Sequence, residues 1–400
     1  MRVLLSTYGT RGDVQPLMAL AVRLRELGAE VRMCAPPDEE FADRLAEIGV
    51  RLVPLGPPVG ELMRGTSLPS AADLSRYRTE MVAAQFDVLP AAADGCDALV
   101  AAGLAQIGAR SVAEAAGIRY VYASYAAVHL PSAHHAPPPR PGWPEPEAHD
   151  NGTLWELDAG HVNAQFSETL DSHRAAIGLP PVDNVRDHVL TGRPWLAADP
   201  VLGPWRPTPG LDVVHTGAWT LPDERPLPDD LTAFLDAGAP PVYVGFGSMR
   251  PSADVVRMAT EAIRGRGHRV LLSGRADLAA HGDRDDCFAV AEANHQRLFT
   301  RVAAVVHHGG AGTTLTAARA GAPQVVIPLQ LSDNPYWAGR VADLDLGATL
   351  DGPTLTAASL DVAFKAALAP ETRARAEALG SRMRTDGAAV AAGLLVDALR

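Results

Sequence analysis

Apolar and polar positions along the chain alternate between two periods. Arg2–Ser6 is a short apolar run of the kind a buried parallel strand needs, and after the turn Thr7–Gly12, Leu17, Leu20, Ala21, Leu24 and Leu27 recur at the spacing of one helix face as far as Gly28. Glu30–Ala35 and Arg51–Leu55 read as strands around the helix Glu39–Ile48, and Ala98–Ala102 and Tyr120–Ala123 continue the alternation around Gln106–Ala116. Pro131–Pro146 holds seven prolines, with His134, His135 and Trp143, and reads as a long surface loop. Pro194–Pro228 is rich in Pro, Trp and Gly without helical period, which places a linker at 206–218. A fresh alternation starts at Pro241–Phe246 and passes the turn Gly247–Ser252, the helix Ala253–Arg264 and the strand Arg269–Ser273. Helical spacing returns in Leu360–Leu368, Pro370–Arg384 and the apolar Ala388–Leu399. The pattern predicts an α/β fold of two doubly wound parallel sheets, residues 1–205 and 219–384, followed by a terminal helix at 385–400.

With 400 residues the chain exceeds the roughly 250–300 at which one core stops growing, which agrees with two domains. A net charge of −12 argues against nucleic acid or an anionic membrane surface as the main partner. The chain shows neither a signal-peptide pattern nor an apolar stretch of spanning length, so a soluble cytoplasmic protein is expected. Cys34, Cys96 and Cys287 are far apart and lack ligand spacing, and are read as buried, reduced and inert. Asp283–Asp285 and Asp343–Asp345 are read as solvated charge, and no metal site is assigned. His307 is read as buried support.

The chemistry concentrates in Ala303–Asn334. Ala303–Val306 reads as a strand; Gly309, Gly310 and Gly312 allow backbone N–H groups to approach a ligand, and Thr313 or Thr314 begins a helix. An anion there would meet unpaired N–H donors and the positive helix end, with His308 beside it. The strand Gln324–Pro328 then returns Asp333 and Asn334 to the same sheet edge. By itself this could be an ordinary glycine-rich turn, and Val244–Ser248 an ordinary strand-to-helix turn. At the other end of the chain, Asp13 in Gly9-Thr10-Arg11-Gly12-Asp13 could be only the cap of the first helix, or a carboxylate facing a crevice.

Taken together, these segments resemble the family-1 glycosyltransferases of the GT-B fold, and most closely those of the vancomycin-group glycopeptide pathways. Ser172–Pro181, Trp195–Leu202 and Thr216–Pro226 extend the resemblance over the whole chain. It implies two facing Rossmann-like domains, an active site between them and a terminal helix that crosses back to the first domain. The implied reaction is inverting, metal-independent transfer of a sugar from a TDP- or UDP-linked donor to a natural-product hydroxyl, without a cofactor. Under it Asp13 and His308 are catalytic. Donor binding falls to Thr10, Arg11, Gly12, Ser248, Ala293, Asn294, Gln296, His308, Gly310, Gly312, Thr313, Asp333 and Asn334. His129, His134, His135 and Trp143 are read as acceptor-binding. Ala293 stands where plant relatives stack a Trp on the base, and Thr316 where they bind ribose through Glu, which leaves nucleoside recognition open. A macrolide or sterol acceptor, a nucleotide-sugar epimerase and a non-catalytic nucleotide-sugar sensor remain as alternatives. A nicotinamide dehydrogenase is disfavoured, because neither turn is a GxGxxG with an acidic residue about 20 positions later.

Overall fold

Strands form where the chain carries its short aliphatic runs, because only buried parallel strands hide apolar side chains on both faces. In the computed structural model β1 (Arg2–Thr7), β2 (Glu30–Ala35), β3 (Arg51–Pro54), β4 (Ala98–Ala102), β5 (Arg119–Ser124), β6 (Trp195–Leu196) and β7 (Val214–His215) form the first sheet. The second contains β8 (Val242–Gly245), β9 (Val270–Ser273), β10 (Cys287–Val290), β11 (Ala304–His307), β12 (Gln324–Val326) and β13 (Gly347–Thr349). The structure describes the chain except residues 63–70, 139–149, 248–251, 275–284 and 330–331.

Among the described residues both sheets are wholly parallel, in the orders β3-β2-β1-β4-β5-β6-β7 and β10-β9-β8-β11-β12-β13. Each order reverses once, between β1 and β4 and between β8 and β11. Ligands of doubly wound sheets bind outside the carboxyl ends of the strands at such a reversal. The first domain reaches further than its expected boundary: β7 lies inside the stretch assigned to the linker and pairs with β6, Trp195 opposite Val214.

The terminal helix Gly387–Ala398 packs on the helix Arg11–Glu26 of the first domain, burying Ala388, Ala391, Ala392 and Leu395 with Leu17, Leu20 and Leu24. Its entry requires glycine, since a Cβ on Gly387 would lie 2.4 Å from the backbone of Gly217. A second apolar cluster is shared between the domains and contains Leu202 of the first with Trp337, Ala338 and Val341 of the second. Beside it Arg340 Nε donates to the Leu202 carbonyl at 2.9 Å. The three cysteines are buried thiols, none of them in a disulfide. Among the described residues no helix is long and apolar enough to cross a membrane.

Candidate active site

β1 delivers the chain to the first reversal point, and the helix Arg11–Glu26 starts two residues earlier than Asp13. This start puts Asp13 at its third position, where a carboxylate can reach back to the end of the preceding turn. It does so, accepting the Thr10 N–H at 2.8 Å. Room for the group comes from two glycines, since a Cβ on Gly9 would lie 2.1 Å from Asp13 Oδ2 and one on Gly103 would lie 3.4 Å from Oδ1. Burial pushes the Asp13 carboxyl up to about 7; the Thr10 hydrogen bond lowers it and the negative charge of Asp333 raises it. Asp13 is therefore both a cap and a carboxyl that titrates near neutrality. Arg11, beside it, turns away to Glu40 and to Glu292 of the second domain. Gly12 is exposed.

On the other side of the crevice β11 ends at His307, and the helix Ala311–Arg319 begins two residues before the expected Thr313. Gly310 is extended (φ −64°, ψ 138°), and the Thr314 N–H and hydroxyl both donate to its carbonyl, at 3.0 and 2.9 Å, which starts the helix early. Among the described residues no side chain caps this helix, and the N–H groups of Ala311, Gly312 and Thr313 are its unpaired first-turn donors. They have the geometry of an anion cradle. His308 lies at its mouth; burial lowers its pKa and the charge of Asp333 raises it. Among the described residues His308 Nδ1 is buried without a hydrogen-bond partner.

Asp333 interacts electrostatically with both Asp13 and His308, so these three groups share one crevice. Its Oδ2 accepts the indole N–H of Trp337 at 2.7 Å, a partner that sequence reading overlooked although the i, i+4 spacing at a helix start would have disclosed it. Asn334 is turned inward, its Nδ2 donating to the His308 carbonyl at 3.0 Å. It therefore braces the turn, and its amide donor is already engaged there.

Asn294 and Gln296 are similarly engaged with the chain itself. Asn294 Nδ2 donates to the carbonyls of Asp223 and Arg225 at 2.7 and 2.8 Å, and Gln296 Nε2 donates to that of Leu221 at 2.8 Å. Both amides fasten residues 221–225, so a nucleotide would have to displace these bonds to use them. Ala293 is partly exposed beside them. The Thr316 hydroxyl donates to the Gly312 carbonyl at 2.8 Å. Ser248 and Trp143 lie outside the described residues, as do most of the Asp283–Asp285 triplet.

The three acceptor-side histidines do not act as one group. His129 crosses the domain boundary, its Nε2 3.1 Å from Ser332 Oγ. His134 Nε2–H donates to the Pro207 carbonyl at 3.0 Å, and His135 packs edge-on against Trp155 and Trp205. Those two turn back onto the first domain. Among the described residues no three His, Cys, Asp or Glu side chains gather as a metal ligand set.

Residues 3–134 match the family model described as the glycosyltransferase family 28 N-terminal domain, and residues 288–392 match the C-terminal domain of erythromycin biosynthesis protein CIII-like proteins. The chain is 57% identical over 404 residues to glycosyltransferase GtfE of Amycolatopsis orientalis, covering 100% of this chain and 98% of the relative. It is 55% identical over 402 residues to the vancomycin aglycone glucosyltransferase of the same organism, with the same coverage. Among solved structures it is similar to the glycosyltransferase VinC in complex with DTDP, with a TM-score of 0.70, 21% identity and coverage of 100% and 99% of the two chains. That likeness speaks for the fold.

Proposed function

The chain belongs to the glycosyltransferases of the vancomycin group, which have the GT-B fold, and from that premise we infer a sugar transfer from a nucleoside-diphosphate donor to a hydroxyl of a glycopeptide aglycone. The observation that carries this reading is the opposition of Asp13 on one domain to the uncapped helix end and His308 on the other, with Asp333 between them.

Transfer requires three things: a hydroxyl relieved of its proton, a sugar held in line, and stabilisation of the charge on the departing diphosphate. Asp13, whose carboxyl titrates near neutrality, accepts in its ionised form the proton from the attacking oxygen. That oxygen forms the bond to the anomeric carbon as the bond to diphosphate breaks on the opposite face, which inverts the centre. The departing charge is met by the N–H groups of Ala311, Gly312 and Thr313 and by His308. Asp333 takes sugar hydroxyls through the oxygen not held by Trp337. These groups supply every step, so the mechanism calls on no metal or cofactor. The donor is TDP-linked in this reading, in keeping with the DTDP complex of the structural relative.

Incubation with glycopeptide aglycones and a panel of TDP- and UDP-sugars, followed by mass spectrometry, tests the assignment. A mass gain of one hexosyl or deoxyhexosyl unit on a glycopeptide is expected. Transfer only to macrolide or sterol acceptors would overturn the substrate class.

A further inference from the structure

Beneath the cradle runs a row of buried polar groups that the proposed chemistry does not use. His307 and Gln324 are both fully buried, at positions of β11 and β12 otherwise flanked by valines. His307 is bonded at both ring nitrogens, with Nε2 2.9 Å from Gln324 Oε1 and Nδ1 3.0 Å from the Gly309 nitrogen. A single tautomer satisfies both contacts: Nε2–H donates to Gln324, and Nδ1 accepts from the Gly309 N–H. Gln324 Nε2 in turn donates to the Thr314 carbonyl in the cradle helix, at 3.4 Å. Burial and the adjacent His308 push His307 down to about 3, against the opposing effect of Gln324, so the ring remains neutral wherever the enzyme is folded and working.

Gly309 is the residue that needs such a tether. Its φ of +89° belongs to the left-handed region, and a Cβ there would lie 2.9 Å from the Asn334 carbonyl. The His308 carbonyl is taken by Asn334 and the Gly310 carbonyl by Thr314. With the Gly309 N–H drawn inward by His307, these inward groups of the turn are bonded and the first-turn N–H groups of the helix remain for a ligand. A buried polar chain is costly unless its groups are satisfied, and a hydrocarbon pair would fill the same space at less risk. Here each of these groups is satisfied, and the bonds they make fix the shape of the turn.

We propose that His307 is a positioning residue of the donor site, fixing Gly309 through a neutral ring held by Gln324 and thereby aiming His308 and the helix N–H groups at the donor diphosphate. This rests on the reading of residues 308–313 as the diphosphate cradle.

The test separates the two nitrogens. His307→Asn places its amide oxygen where Nδ1 stands and can still accept from Gly309. His307→Gln reaches only the Nε2 position and keeps the link to Gln324. His307→Leu removes both. For each folded variant, thermal midpoint, donor KM, acceptor KM, kcat and the calorimetric Kd for TDP are measured. His307→Gln and His307→Leu are expected to raise donor KM and TDP Kd by about tenfold or more and to lower kcat, with acceptor KM within about twofold, and His307→Asn to recover most of the loss. If His307→Leu does not fold, the Asn and Gln pair carries the comparison. Equal behaviour of those two, or a lowered midpoint with unchanged donor parameters, overturns the proposal. His308→Ala serves as the control: unchanged TDP affinity there removes the cradle reading itself. Weakened affinity there, with His307→Asn and His307→Gln alike, keeps the cradle and removes His307 from it.

Discussion

At the residue scale the decisive quantity is the protonation of Asp13. An isolated carboxylate near ~4 is a weak base toward an alcohol, whereas one pushed to about 7 by burial accepts a proton far more readily. Turnover should therefore rise with pH through about 7, as the acid form gives way to the base. Asp13→Asn preserves the cap oxygen and removes the proposed base, so kcat should fall roughly 10²–10⁴-fold and the rising limb should disappear from the pH profile. Stability moves the other way. The folded pKa lies above the ordinary carboxylate value, so between about 4 and 7 the native state holds a proton that the unfolded chain has lost. The stabilisation this gives is complete below about pH 4 and is lost as pH rises through 7. Melts without donor should show Asp13→Asn gaining on the wild type from pH 5 to pH 8; a constant difference would mean that Asp13 is not buried as a charge. Asp333→Ala makes a separate prediction. It should weaken the intact nucleotide sugar far more than free TDP in calorimetry, because in the proposed reading the carboxylate meets only the sugar part of the donor.

At the element scale, early starts of two helices assemble the site. The helices begin at Arg11 and Ala311, two residues before Asp13 and Thr313, so Asp13 sits inside the first turn and the first-turn donors of the second come from Ala311, Gly312 and Thr313. Two long helices, Ala71–Ala93 and Asn151–Ala176, escaped the periodicity reading. The first carries Pro90 near its end, and the second interleaves polar residues with Trp155, Val162 and Leu170, so neither presents a clean apolar stripe. The terminal helix was legible from its Ala, Leu and Val content, and its landing on the first domain, which the resemblance implied, is where the structure puts it. Gly387→Ala should test that contact: a methyl 2.4 Å from Gly217 cannot fit without backbone movement, and a loss of about 1–3 kcal/mol in urea unfolding is expected. Wild-type stability would show that the helix shifts to admit it.

For the whole molecule the question is what holds two domains around a crevice. Glu292 of the second domain lies 3.4 Å from Arg11 and 3.2 Å from Arg44 of the first, and 3.4 Å from Arg225 of its own. Such partly exposed pairs contribute little stability, about 0–1 kcal/mol each, but they link opposite walls. Glu292→Gln should leave the melting midpoint within a few degrees while raising donor KM and the radius of gyration in X-ray scattering, and added salt should shift the wild type the same way. Unchanged scattering and KM would assign closure to the apolar cluster around Trp337. The sequence by itself determined the alternation of strands and helices, the two sheets, and the turns that bear Asp13 and His308. Those features follow from local periodicity, glycine and short-range capping, which a linear reading can see. Only the tertiary structure decided that Asp333 lies near Asp13, that Asn294, Gln296 and Asn334 are engaged with the protein's own backbone, and that His134 and His135 turn back onto the first domain. These depend on which groups meet across tens to hundreds of residues, and on the burial that raises one carboxyl and neutralises one histidine. Burial and long-range contact are properties of packing, and residue spacing along the chain does not contain them.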